Sequence, residues 1–255
     1  MSAPPRTTAF DKWVTIATPS PQSTVRLICL PHAGGSASFF FPVSRALAPR
    51  VEVLAVQYPA RQTRLREPGI DNIPEYADQI FAVLAELDDK PLAFFGHSMG
   101  AILAYEVALR MRQAGRPAPV HLFASGRRAP SRYRAERIHE GTDAQVVAEL
   151  KRLGGPNPAL LADPEMLALI LPAVRSDYTA IERYRHTPGR HLTCPITAVI
   201  GDHDPRVSPD EARSWSEHTT GPFTLKILPG DHFYLVARAP ELLALISHTL
   251  TTSAG

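Results

Sequence analysis

Gly96-His97-Ser98-Met99-Gly100 joins an apolar run, residues 92–95, to a helical pattern that begins near Met99. A serine at such a strand-to-helix turn can act as a nucleophile. The turn is sharp, the serine backbone is strained, and side chains two positions either way would strike the neighbouring strand and helix. The helix that starts there aims N–H groups and its dipole at the place where an oxyanion would form. The N–H of Met99 is the expected first donor. A second donor belongs on the loop after an earlier strand, and Pro31-His32-Ala33-Gly34-Gly35 follows residues 25–30 with the small residues that close approach requires.

Ser98 needs a base and an acid to orient it. In hydrolases with this turn the chain order is serine, acid, histidine, so both partners belong late in the sequence. His232, in Pro229-Gly230-Asp231-His232-Phe233, stands after the last strand and before the final helix. The acid belongs in Gly201-Asp202-His203-Asp204-Pro205, after the penultimate strand. Asp204, further into that loop, is favoured over Asp202, which leaves the strand directly and suits local backbone bonds. Asp231 is a poor orienter because successive side chains diverge. His97 neighbours the serine and is expected to line the site. Surface or capping roles suit His248 and His218.

These residues need a scaffold that brings loops from several strands together. Six short apolar runs read as buried strands, residues 25–30, 51–56, 92–95, 120–124, 196–200 and 223–228. Helical patterns lie between them, over 74–87 and 101–111. The alternation implies a mostly parallel central sheet flanked by helices, and with the Gly-x-Ser-x-Gly turn at its strand-to-helix junction the expected fold is that of the α/β-hydrolases. Ser208-Pro209-Asp210-Glu211 and Thr142-Asp143-Ala144-Gln145 are capping boxes, and Asp163-Pro164 starts a further helix in which Pro172 should cause a kink or a break. Residues 127–190 hold helices without a strand, so the expected organisation is a core of 1–126 and 191–255 with a helical lid insertion at 127–190. Leu167, Leu171 and Tyr178 on that insertion either line a substrate channel or pack in the core, the commoner fate.

Composition narrows the alternatives. With 255 residues, 44% apolar and 20% charged, the chain fits one globular domain. A net charge of +2 argues against a dedicated nucleic-acid binder. The start, residues 1–18, lacks the apolar core of a secretory signal, and no run reaches the roughly 18 apolar residues of a membrane span. A cytoplasmic protein is expected. Cys29 and Cys194 lie in or beside apolar runs and read as free thiols, no zinc-type spacing is present, and neither a metal nor a cofactor is expected.

Taken together, Leu30-Pro31-His32-Ala33-Gly34-Gly35, Gln57-Tyr58-Pro59-Ala60-Arg61, Gly96-His97-Ser98-Met99-Gly100, Ser125-Gly126-Arg127-Arg128-Ala129-Pro130, Gly201-Asp202-His203-Asp204-Pro205 and Gly230-Asp231-His232-Phe233 resemble the type II thioesterases of polyketide and nonribosomal peptide synthases. The resemblance runs over nearly the whole chain and departs at Ala60, where the family usually has glycine. It implies a triad of Ser98, Asp204 and His232, oxyanion donors at Met99 and Ala33, and a helical lid. It implies hydrolysis of acyl groups from the phosphopantetheine arm of acyl or peptidyl carrier proteins, editing aberrant chains or releasing intermediates. Carrier proteins are commonly acidic, so Arg132 and Arg134, within the run Arg127, Arg128, Arg132, Arg134 and Arg137, could steer docking; a solvated face is the plainer reading. Since the sequence starts at Met1 and leaves no room for a carrier domain, a stand-alone enzyme is expected, acting as a monomer. The competing readings are a general carboxylesterase or lipase and a ligand-binding protein that has lost catalysis.

Overall fold

The computed structural model describes residues 7–155 and 161–252; the first residues of the Pro-rich start and part of the insertion lie outside that range. The element order is α1 (Thr8–Trp13), β1 (Val14–Thr15), β2 (Val25–Leu30), α2 (Phe41–Leu47), β3 (Val51–Val56), α3 (Ile73–Leu84), β4 (Leu92–His97), α4 (Met99–Gln113), β5 (His121–Ser125), α5 (Asp143–Arg152), α6 (Pro164–Arg183), β6 (Ile196–Gly201), α7 (Pro209–Arg213), β7 (Phe223–Leu228), α8 (Tyr234–Ala237) and α9 (Ala239–Thr252). The strands form one sheet in the order β1-β3-β2-β4-β5-β6-β7, with only β1 antiparallel to its neighbour.

Alternation along each strand builds the two faces of the core. Ile28, Leu30, Leu54, Val56, Phe94 and Leu122 point to the side covered by α3, α4 and α6, among buried Ile80, Ile102, Leu103 and Val174. Leu27, Cys29, Val53, Phe95 and Phe123 point to the other side, against Leu47 of α2 and Leu242, Ile246 and Leu250 of α9. A strand apolar at every position can be stable only if both faces are covered, which is the case for β2 to β6. Cys29 and Cys194 are buried free thiols on opposite faces.

The structure differs from the sequence-based expectation at three places. The run 223–228 is an edge strand rather than a buried one: Thr224, Lys226 and Ile227 are exposed, Ile227 by 44%, and no residue of β7 is fully buried. Pro172 does not divide its helix, for α6 runs unbroken through it for 20 residues. One missing N–H removes one backbone bond, and buried Leu171, Ala173 and Val174 hold both sides of the gap. The short elements α1, β1 and α2 were not anticipated. The capping boxes at Thr142 and Ser208 are both formed, and Asp163 caps α6 through Oδ1 to the N–H groups of Glu165 and Met166.

The strand order reverses direction at β2. The chain leaves β2 toward β3 on one side and returns to β4 on the other, so the loops after β2 and β4 part from each other at the ends of two adjacent parallel strands, opening the crevice where open α/β sheets place their ligands. Among the described residues no helix is long and apolar enough to cross a membrane.

Candidate active site

Ser98 is the residue between β4 and α4, and its backbone, at φ 56° and ψ −116°, lies in a region that non-glycine residues seldom occupy. Such a conformation costs about 1–3 kcal/mol and persists only where the surroundings impose it. Here the N–H of Ser98 donates to Ser125 O of β5 at 2.8 Å, and Ala101 N–H returns to Ser98 O at 3.0 Å. The flanking glycines leave no room for a side chain. A Cβ on Gly96 would lie 2.1 Å from Gly100 O, and one on Gly100 would lie 2.1 Å from Leu30 O. The elbow therefore presses directly on the end of β2, where the Pro31–Gly35 loop begins.

The first turn of α4 leaves its N–H groups without intrahelical acceptors, and Met99 is its first residue. Ser98, Met99 and Ala33 all line one cavity of about 400 Å³. His232 lines the same cavity, and its Nδ1 lies 2.9 Å from Asp204 Oδ2 and 3.0 Å from Oδ1. Asp204 Oδ1 also accepts the N–H of Arg206 at 2.8 Å, which fixes the carboxylate's direction. Asp202 instead accepts Gly230 N–H and pairs with His203, and Asp231 accepts Phe233 N–H. The arrangement can hold an imidazole with Nδ1 protonated and Nε2 available as a base.

Much of the remaining cavity wall is apolar and comes from α5 and α6, with Leu150, Leu153, Met166, Leu169, Ile170, Val174, Tyr178 and Ile181, while Arg61, Arg127, Glu136, Glu182 and Arg206 also reach it. Tyr178 is thus on the wall. Leu167 and Leu171 are not, because they sit one helical step away on the neighbouring flank of α6 and pack into the core. His97 is fully buried behind His232 rather than on the wall; its Nδ1 meets Ser125 Oγ at 3.0 Å, and its ring centre lies 5.0 Å from that of His232. Arg132 pairs with Glu217 and, through Nε, with Ser214 Oγ, while Arg134 makes a fork to Glu211. Among the described residues no cluster of three metal-ligating side chains occurs.

A second buried network adjoins the site, and the sequence reading assigned none of its members a role. Asp177 of α6 is fully buried and takes a fork from Arg61, with Nη1 at 2.6 Å and Nη2 at 3.0 Å. It also accepts Tyr76 Oη–H at 2.8 Å and Gly34 N–H at 2.8 Å. Arg61 donates further to the carbonyls of Pro59 and Gly35. Burial alone would pull the Arg61 guanidinium down, but the facing carboxylate outweighs it and holds its pKa above the ordinary value. One carboxylate from α6 thereby clamps the loop that carries Ala33. The chain enters this network through Ala60, whose φ of 65° is one that glycine adopts freely.

Burial also keeps the surrounding histidines neutral. Desolvation, followed by repulsion from His232, pushes His32 down to about 3 and His97 well below its ordinary value. Desolvation likewise lowers His121 to about 4 and His218 to about 3. An unfolded histidine takes a proton near pH ~6.5, whereas these accept one only at their lower native values. Their stabilisation is complete above the unfolded value and is lost as the pH falls toward the native ones, each at up to about 1.4 kcal/mol per pH unit. Denaturant unfolding between pH 6.5 and 5 is expected to show a slope steeper than that of a single histidine; a flat profile would contradict the buried neutral state. Glu136, pushed down to about 2 against its burial by Arg128 and Arg206, loses its contribution only below that window.

Known proteins similar to this chain include thioesterases. The thioesterase domain family matches residues 25–250. A probable cadicidin biosynthesis thioesterase of Streptomyces griseus is 49% identical over 249 residues, 96% of this chain and 69% of that protein. Thioesterase PikA5 of Streptomyces venezuelae is 45% identical over 244 residues, 95% of this chain and 87% of that protein. The solved structure of the type II thioesterase BorB from the borrelidin biosynthetic cluster superposes with a TM-score of 0.88 at 49% identity, covering 94% of this chain and 98% of that one.

Proposed function

The chain belongs to the thioesterase family, as a type II thioesterase of the kind found in polyketide and nonribosomal peptide pathways, and from that premise we propose that it hydrolyses acyl groups from the phosphopantetheine arm of carrier proteins through a Ser98 acyl-enzyme. The observation that carries this reading is the His232 imidazole held by both Asp204 oxygens on the wall of an apolar cavity that also contains Ser98. In the first half-reaction His232 Nε2 takes the Ser98 hydroxyl proton as Oγ attacks the thioester carbonyl. The N–H groups of Met99 and Ala33 receive the oxyanion, and Asp204 stabilises the imidazolium. Collapse expels the pantetheine thiolate, which takes up the proton from His232. Water then repeats the sequence on the acyl-serine and frees the acid. A thiol of pKa about 8.5 leaves with little acid assistance, so the site needs the oxyanion donors more than a strong general acid.

Residues 127–190 serve in this reading as the lid, and the acyl chain lies against the apolar faces of α5 and α6. Matched substrates test the reading against a general esterase. An acyl-pantetheine thioester is expected to exceed the oxygen ester of the same acyl group by more than about tenfold in kcat/KM, and a carrier-bound thioester to exceed both. Equal or higher ester rates would favour a carboxylesterase. Arg132 and Arg134 are candidates for carrier steering, being 43% and 38% exposed at the side chain, but both are already paired to carboxylates. Charge reversal at both is accordingly expected to raise KM for the carrier-bound substrate by no more than about threefold, leaving the pantetheine thioester unaffected.

A further inference from the structure

Three arginines meet beside the cavity, and two are spent on carboxylates. Arg128 donates to Glu136, and Arg206 pairs with Glu136 and Glu149. Arg127, which lines the cavity with Ser98 and His232, is not spent. It is 8% exposed, its Nε is buried without an acceptor, and its guanidinium makes no ion pair among the described residues. Glu182, a nearby carboxylate on the same wall, is committed to the backbone N–H groups of Ile138 and His139 and to the His139 ring.

A buried cation without a partner costs several kcal/mol. Burial, followed by repulsion from Arg128, pushes Arg127 down to about 9, which still leaves it protonated at neutral pH. The main chain holds it in place, for Trp215 Nε1 donates to Arg127 O at 2.9 Å. Its position is close to the reaction centre: Arg127 follows Gly126, where a Cβ would lie 3.4 Å from His232 Cε1. His32 Nδ1 and Arg206 Nη2 on the same wall also lack a hydrogen-bond partner, but Arg206 is paired to carboxylates and Arg61 to Asp177, so among the described residues Arg127 is the lining cation that has no counter-charge.

We propose that Arg127 is a specificity-determining residue, its guanidinium receiving an oxygen that the acyl chain carries beyond the scissile carbonyl. The substrate class is therefore an oxygenated acyl thioester rather than a plain alkanoyl one, with the hydrocarbon part of the chain on the α6 wall. The inference rests on the reading that Ser98 takes an acyl group from a thioester into this cavity. A hydroxyl or keto oxygen and a carboxylate would both satisfy the same donors.

The test compares kcat/KM for three acyl-pantetheine thioesters of equal chain length: unsubstituted, 3-hydroxy, and terminally carboxylated. The wild-type protein is expected to prefer at least one oxygenated substrate by about tenfold or more, and whichever it prefers identifies a neutral or an anionic oxygen. Arg127→Met should bring that preference to within about twofold, while Arg127→Lys, which keeps a cationic donor, should retain part of it. Thermal melts and fluorophosphonate labelling of Ser98 report whether each variant is folded. If the wild type hydrolyses all three and neither variant changes the ratios, Arg127 does not read the acyl chain. If it hydrolyses none of them, the thioesterase reading itself falls.

Discussion

Replacing Ser98 by alanine is expected to lower kcat for thioester hydrolysis by about 10⁴-fold or more while leaving the melting temperature essentially unchanged. The catalytic loss follows from removing the atom that bonds to the acyl group. The second effect follows from what the nucleophile needs for its position. The Ser98 conformation is imposed by Gly96, Gly100 and the bond to Ser125 O, and the hydroxyl adds nothing to them. His232→Ala should cost about as much as Ser98→Ala, and the double variant little more, because the two act as one unit. Asp204→Asn should lower kcat by about 10³- to 10⁴-fold through loss of the correct tautomer, whereas Asp202→Asn, which touches only Gly230 and His203, should stay within about threefold. Circular dichroism and steady-state kinetics on the five variants separate these outcomes. A large effect at Asp202 with a small one at Asp204 would reverse the assignment of the acid.

The second large effect is expected at Asp177, which touches none of the reacting atoms. Its removal in Asp177→Ala leaves Arg61, 6% exposed, without a counter-charge and leaves Tyr76 Oη and Gly34 N–H without their acceptor. Breaking a buried pair from one side costs about 3–5 kcal/mol, which for a chain of this size corresponds to a melting-temperature loss of about 10 °C. Asp177→Asn keeps the shape and one acceptor oxygen, so it should fold, but it weakens the clamp on the Ala33 loop. The expected signature of a positioning residue is a kcat lowered about tenfold with KM little changed. The affinity for an acyl boronic acid, which mimics the tetrahedral state, should weaken by a similar factor. If Asp177→Asn alters stability while kcat and inhibitor affinity stay as in the wild type, the network supports the fold alone.

The contrast between the triad and this network explains what could be read before folding. Strands 25–30, 51–56 and 196–200 were legible because short, mainly apolar runs with β-branched residues need cover on both faces, and the parallel order then brings the loops after β2, β4, β6 and β7 to one edge. Position within the loop separated Asp204 from Asp202, and His232 Nδ1 lies 3.0 and 2.9 Å from the Asp204 oxygens. By contrast, α1 and β1 are six and two residues long, too short for any period to register.

Asp177 escaped notice because a lone aspartate in an amphipathic helix reads as a solvated residue. A signal was nevertheless present. Val174, Asp177, Tyr178 and Ile181 share one helical face, so the acid sits on the apolar side and needs a buried partner, and Arg61 stood in a quoted motif with no role. Leu167 and Leu171, offered from the sequence as channel or core residues, pack in the core, and Met166 and Ile170 beside them line the cavity. For the arginines the sequence could offer only a run. Pairing distinguishes them: Arg132 and Arg134 are occupied at the surface, and Arg127 is buried and unoccupied.

The account stands most directly on the covalent bond to Ser98. Mixing the protein with an acyl-pantetheine thioester, quenching in acid during turnover and mapping the peptides by mass spectrometry should reveal one acyl group on the peptide that contains Ser98. That adduct should be absent from Ser98→Ala. An acyl group mapped to any other side chain, or continued turnover by Ser98→Ala, would contradict it.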